Sequence, residues 1–169
     1  MKMLLTVPLM MAAIVFSGCN AQQKAQDFEK PINGILQIAE AAYPGLPPAD
    51  QAIVKPWINI GVTADNQLQT CIATLGTGGK SAQFATCFTA FAGIFTDPKQ
   101  LALLRVMNPD SQSKAQLWAT AAILAVNAAV KVFGGTSQPL PVIAEHQPSR
   151  QEIEAMARGL GIPAFAYGY

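Results

Sequence analysis

The sequence predicts an all-α, single-domain bundle of about five to six helices, with a Pro-containing linker before a short C-terminal helix. Three observations carry this expectation. Apolar residues recur every three to four positions along most of the chain, the spacing of one helix face. Clusters of Pro, Gly, Asn and Asp interrupt that pattern at residues 43–48, 76–79, 96–98 and 108–110. No strand-rich region and no repeat of fixed period accompany them.

The first nineteen residues have the layout of an export signal. Lys2 gives a positive start, residues 4–16 form a short apolar run interrupted by Pro8, and Ser17-Gly18-Cys19 is a small-residue junction before the polar Asn20-Ala21-Gln22-Gln23. The run is shorter than the ~20 apolar residues of a bilayer span. Val15-Phe16-Ser17-Gly18-Cys19 resembles the lipobox of bacterial lipoproteins, with Phe16 where that family usually carries Leu. The resemblance covers these residues alone. It implies removal of residues 1–18, lipidation of Cys19, and a place in the bacterial cell envelope facing an extracytoplasmic space. Asn20 after the Cys implies, by the same resemblance, the outer membrane of a two-membrane bacterium. The other reading is ordinary cleavage near Cys19-Asn20-Ala21, leaving a secreted or periplasmic soluble protein.

Residues 19–27 are expected to be a tether and residues 28–135 the bundle. The first helix spans residues 23–43, with Phe28, Ile32, Ile35, Ala39 and Ala42 on one face. Pro31 should kink it or mark where the tether gives way to the packed helix. A second helix runs from about residue 48 to residue 75 on a stripe of Ile53, Trp57, Ile60, Leu68, Ile72 and Leu75. It should bend near Gly61, with Thr63 capping the restarted part. The third, residues 81–95, is rich in Ala and Phe and starts at a Ser81 cap. Asp97-Pro98 should open a fourth, carrying Leu101, Leu104, Arg105 and Met107.

Ser111 is expected to cap the fifth and longest helix, which ends at Phe133 before Gly134-Gly135. Ser113, Gln116, Thr120, Asn127 and Lys131 lie within about 60° of arc there, a narrow polar stripe on an otherwise apolar helix. That makes it the candidate central helix. Residues 136–148 read as the linker. Ser149-Arg150-Gln151-Glu152 is a capping box that opens the last helix. Residues 149–169 should pack on the bundle, including the aromatic tail with Phe165, Tyr167 and Tyr169.

Beyond Lys2 the chain has equal numbers of basic and acidic residues, and charged residues make up only 12% of the sequence. There is no basic stripe for phosphate binding, which argues against nucleic acid. With Cys19 assigned to lipid, Cys71 and Cys87 are the remaining cysteines. Across an antiparallel hairpin of the second and third helices their levels differ by roughly 3 Å, within disulfide reach if their Cβ vectors converge. Two separate buried thiols are the alternative.

Gly76-Thr77-Gly78-Gly79-Lys80-Ser81 ends like a phosphate-binding P-loop, but Thr74 occupies the position where that loop needs its first Gly. A hairpin turn accounts for the same residues, and no nucleotide is expected. His146, the sole histidine, sits beside Glu145 in the linker with no third metal ligand in view. The pairs Asp27/Glu29 and Glu152/Glu154 are two apart on helices and face different ways. Neither catalytic residues, metal nor cofactor is therefore expected.

The expectation is a non-enzymatic protein held at the membrane through lipidated Cys19, working structurally, through a protein partner or through self-association. Two alternatives stand beside it: an apolar-ligand or lipid carrier, and a small membrane-active or pore-related protein. The apolar helices at residues 81–95 and 117–133 fall short of ~20 uninterrupted apolar residues. A third, an enzyme, would need a site assembled only in the fold.

Overall fold

The computed structural model describes residues 20–144 and 148–163. Helix α1 spans Ala21–Ala42. Asn20 caps it, its side-chain Oδ1 accepting from the Gln23 N–H at 2.8 Å. The tether expected at residues 19–27 is corrected here. Residues 21–27 are the first turns of α1, and Ala25 is 0% exposed because it packs into the core. Pro31 does not start the packed helix, which continues on both sides of it. It lies inside it, buried, where its missing N–H leaves the Asp27 carbonyl without the usual helical partner.

A 3-10 turn, Tyr43–Gly45, leads to α2, Pro48–Leu75. This helix is continuous through residues 61–63, so the restart expected there does not occur. Gly61 is there for contact: a Cβ at this position would meet Leu36 at 2.7 Å and Phe95 at 2.8 Å. Thr63 caps nothing. Its hydroxyl donates to the Asn59 carbonyl one turn back, 2.9 Å away. The buried stripe is also rotated slightly from the expected one. It runs through Asp50, Val54, Trp57, Ile58, Gly61, Ala64, Asp65, Leu68 and Ile72, while Ile53 and Ile60 are half-buried.

A second 3-10 turn, Gly76–Gly78, joins α2 to α3, Ser81–Phe95. The start of α3 is held by Gln83, whose Oε1 accepts from the Lys80 N–H at 2.8 Å, so Ser81 is not its cap. Asp97 caps α4, Pro98–Leu104, as its position before Pro98 predicts, accepting from Lys99 N–H at 2.8 Å. Helix α5, Pro109–Val132, is capped by Asn108 rather than Ser111; the Asn108 side chain accepts from the Ser111 N–H at 3.0 Å. After a non-helical segment comes α6, Arg150–Gly159, opened by the expected Ser149/Glu152 capping box. Hydrogen bonds from Ser149 hold the Glu152 carboxyl below its ordinary pKa.

The protein is an all-α bundle, with no strand among the described residues. The bonds from Asn33 to Asp65 and from Gln69 to Glu29 set α1 antiparallel to α2. Helix α5 is the core: every residue from Trp118 to Val130 is buried. Its alanines let neighbouring backbones approach, and the rings of α3 fill the remaining space. Phe84 and Phe88 pack on Phe133 at centroid distances of 5.5 and 6.2 Å, and Trp57 stacks on Phe95 at 4.6 Å. The Trp57 indole N–H also donates to the Phe95 carbonyl at 3.2 Å.

Candidate functional site

The α2–α3 hairpin brings Cys71 and Cys87 together. Cys71 and Cys87 are bonded, with S–S 1.97 Å and Cα atoms 6.0 Å apart. Cys87 is buried at 3% exposure, whereas Cys71 is half-buried. Cys19 lies outside the described residues, as do residues 1–18, Glu145, His146 and the aromatic tail with Phe165, Tyr167 and Tyr169.

The Gly-rich stretch is a turn between helices. Gly76 adopts φ +57°, a backbone region that a side chain disfavours, and Gly79 sits against the Phe84 ring. Lys80 and Ser81 are exposed. A strand leading into the loop, which a phosphate cradle requires, is replaced by α2. Among the described residues no group of three or more His, Cys, Asp or Glu stands where it could share a metal ion.

Three polar groups within the fold do structural chemistry. Asp50, 5% exposed at the start of α2, accepts from the Ser111 hydroxyl at 2.7 Å and from the side-chain amide of Asn108. It thereby ties the start of α2 to the start of α5. On α5, Asn127 and Gln116 hold the segment that follows the helix. The Asn127 amide donates to the Gln138 carbonyl at 2.9 Å and accepts from the Gln138 N–H at 2.6 Å. Gln116 donates to the Pro141 carbonyl at 2.7 Å and accepts from the Ile143 N–H at 2.5 Å. The polar stripe read from the sequence is thus exposed at its two ends, Ser113 and Lys131, while its middle, Gln116 to Asn127, is covered by residues 138–144. The linker expected at 136–148 is, over that stretch, part of the packed body, with Pro141, Ile143 and Ala144 buried.

The third group is Asp65, 2% exposed between α1 and α2. Its Oδ2 accepts from Asn33 at 3.0 Å and from Gln69 at 3.2 Å, and Gln69 also donates to Glu29 at 2.8 Å. The Asp65 Oδ1 is buried and meets no hydrogen-bond partner among the described residues. Burial, with the like charge of Glu29 behind it, pushes the Asp65 carboxyl up to about 6 despite the bonds from Asn33 and Gln69. The carboxyl pairs considered in the sequence do not include this one. Its signal was the spacing of Asp65 from Leu68 and Ile72, which places a carboxylate on the buried face of α2.

On the surface, a groove of about 440 Å³ lies between α1, α5 and α6, lined by Ile38, Leu117, Ala155, Met156 and Leu160 with Glu152 at its edge. Leu103, Val106 and Val142 are 56%, 72% and 55% exposed. The Arg105 guanidinium connects their two segments by donating to the Val142 carbonyl at 2.7 Å. By length and composition α5 could cross a membrane, contrary to the shorter apolar core expected for it, with mean hydropathy 1.4 over its best window. That window is 83% buried inside the bundle.

No known protein family, no curated protein and no solved structure matches this chain.

Proposed function

We propose that the chain is a non-enzymatic, lipid-anchored domain that faces an extracytoplasmic space and acts by contact, with a protein partner or with further copies of itself. The Cys71–Cys87 bond carries this reading. Disulfides persist in oxidising compartments and are reduced in the cytosol, so the bond agrees with the export signal. It also leaves Cys19, at the end of the lipobox-like stretch, as the cysteine available to lipid. Contact is supported by the use made of the polar groups. Asp50, Gln116 and Asn127 bind one part of the fold to another, while Leu103, Val106 and Val142 lie on the surface.

A second reading, an apolar-ligand or lipid carrier, draws on the groove beside Ile38, Leu117 and Met156. Against it, the space between the Phe-rich and Ala-rich helices is filled by the Phe84, Phe88 and Phe133 rings. The pore-related reading draws on the length and hydropathy of α5, whose burial favours a core role.

Labelled palmitate tests the anchor: it should enter the wild-type chain and not Cys19→Ala. Equal labelling of both, or labelling of neither, would remove the anchored form. Crosslinking of the membrane-bound protein should then recover a protein neighbour or a second copy. Lipid retained through native mass spectrometry would move the reading to the carrier.

A further inference from the structure

We infer that the bundle stands end-on at the membrane, with Lys24, Lys80 and Lys131 against anionic lipid headgroups, an inference that rests on lipidation of Cys19. The antiparallel α1 and α2 place the start of α1 beside the turn Gly76–Gly78. The end of α5 joins them there, because Phe133 packs against both Phe28, at 6.3 Å, and Phe84, at 5.5 Å. Residues 20–24, 76–81 and 131–137 therefore form one end of the molecule. Those segments contain three lysines, Lys24, Lys80 and Lys131, and no Asp or Glu. All three are exposed, and Val132 beside them is 44% exposed. At the other end the signs are mixed: Glu40, Asp97 and Asp110 stand among Lys99, Arg105 and Lys114.

The covalent geometry points the same way. Asn20 is the N-cap of α1, and Ala25 is already in the core. No slack chain separates Cys19 from the packed body, so lipid at Cys19 holds this end at the bilayer. Lys24 lies about 6 Å along the helix from Asn20. That distance is inside the ~8 Å over which salt leaves charges coupled. A long tether would let the bundle tumble; a capped helix directly after the lipid, ringed by lysines, sets its orientation.

The test uses the full, lipidated chain in vesicles of phosphatidylcholine with a minority of phosphatidylglycerol. A fluorophore is attached in turn at Thr77→Cys, in the lysine-bearing end, and at Gly45→Cys, in the opposite turn. Both positions are exposed, and Gly45 has open space around it. A quencher carried on lipid headgroups reports proximity. Quenching at position 77 should exceed that at position 45 by about twofold or more, and high salt should narrow the gap because screening weakens the contact. Replacing Lys24, Lys80 and Lys131 by Gln should narrow it on anionic vesicles and leave it unchanged on pure phosphatidylcholine. Equal quenching at the two positions in a chain that takes up palmitate overturns end-on docking and keeps the anchor. Absence of palmitate uptake overturns the anchor and, with it, the end-on docking that rests on it.

Discussion

The side chain of Gln116 holds the backbone of Ile143 in place of a regular helix–helix contact, accepting from its N–H at 2.5 Å while donating to the Pro141 carbonyl at 2.7 Å. One carboxamide on α5 thus meets three buried backbone groups, the Pro141 carbonyl and the N–H groups of Ile143 and Ala144, in a segment that has no secondary structure of its own. Replacing Gln116 by Met keeps the volume and removes these bonds. The expected cost is about 2–4 kcal/mol, because buried donors and acceptors lose this partner. Chemical denaturation measures it, and limited proteolysis should cut within residues 136–144 faster than in the wild type. An unchanged midpoint with unchanged proteolysis would show that the clamp contributes nothing.

Two glycines on exposed and buried helix faces should respond to alanine in opposite senses. At Gly61 a methyl group would run into Leu36 and Phe95 at 2.7 and 2.8 Å. Gly61→Ala is expected to destabilise by about 1–3 kcal/mol through overpacking. At Gly93, exposed on α3, an added Cβ meets nothing within 4 Å. Gly93→Ala should stabilise by about 0.5–1 kcal/mol by removing unfolded-state freedom in a helix interior. Thermal melts of the two variants side by side decide it, and equal shifts in one direction would contradict the packing described for Gly61.

These residues also show which parts of the fold could be read in the chain. Local chemistry was legible. The Asp97-Pro98 start, the Ser149/Glu152 box and the breaks at Pro44 and Gly76 all depend on residues within a few positions of one another. Groups whose partners are distant were not. Gly61 read as a weak point because a sequence shows the missing side chain and not the Leu36 and Phe95 that need its absence. The polar stripe of α5 was visible, but the segment covering it attaches 11 residues away at Asn127 and 27 away at Gln116. The cap of α5 was within local reach as well: Asn108 stands directly before Pro109 as Asp97 stands before Pro98, and Ser111 lies inside the first turn. Of the candidate site residues, Cys71 and Cys87 meet as hairpin spacing allows.

Removing the hairpin bond should weaken the protein without dismantling it. The cysteines are 16 residues apart, a loop whose closure contributes about 3 kcal/mol in the chain-entropy account. Cys71→Ser with Cys87→Ser is expected to lower Tm by about 6–12 °C for a chain of this size. Helix content at room temperature should persist, since the Phe84, Phe88 and Phe133 packing does not involve either sulfur. Circular dichroism with and without reductant makes the same comparison on the wild type. A reductant-insensitive melt in a chain shown to be oxidised would refute the contribution.

Asp65 supplies a pH dependence whose sign runs opposite to that of a paired surface acid. Burial and the Glu29 charge raise its folded-state pKa from the ordinary 3.8 to about 6. Between those values the folded protein binds a proton that the unfolded chain releases. Stability from this group is therefore complete below about pH 4 and is lost as pH rises through 6. The groups facing it are Glu29 and Asn33 from α1 and Gln69 from its own helix, α2. The contribution is about 1–2 kcal/mol, reduced from the full conversion of that difference because part of the surroundings remains hydrated. Asp65→Asn keeps the shape and removes the titration. Urea unfolding at a series of pH values should give the variant a stability gain over wild type that is near zero at about pH 4 and grows to about 1–2 kcal/mol by pH 7.5. The variant's own stability includes every other titrating group, so the difference between the two proteins is the quantity that isolates Asp65. A difference that stays flat across that range, or falls as pH rises, would show that the Asp65 carboxyl is charged throughout and that Asn33 and Gln69 outweigh its burial.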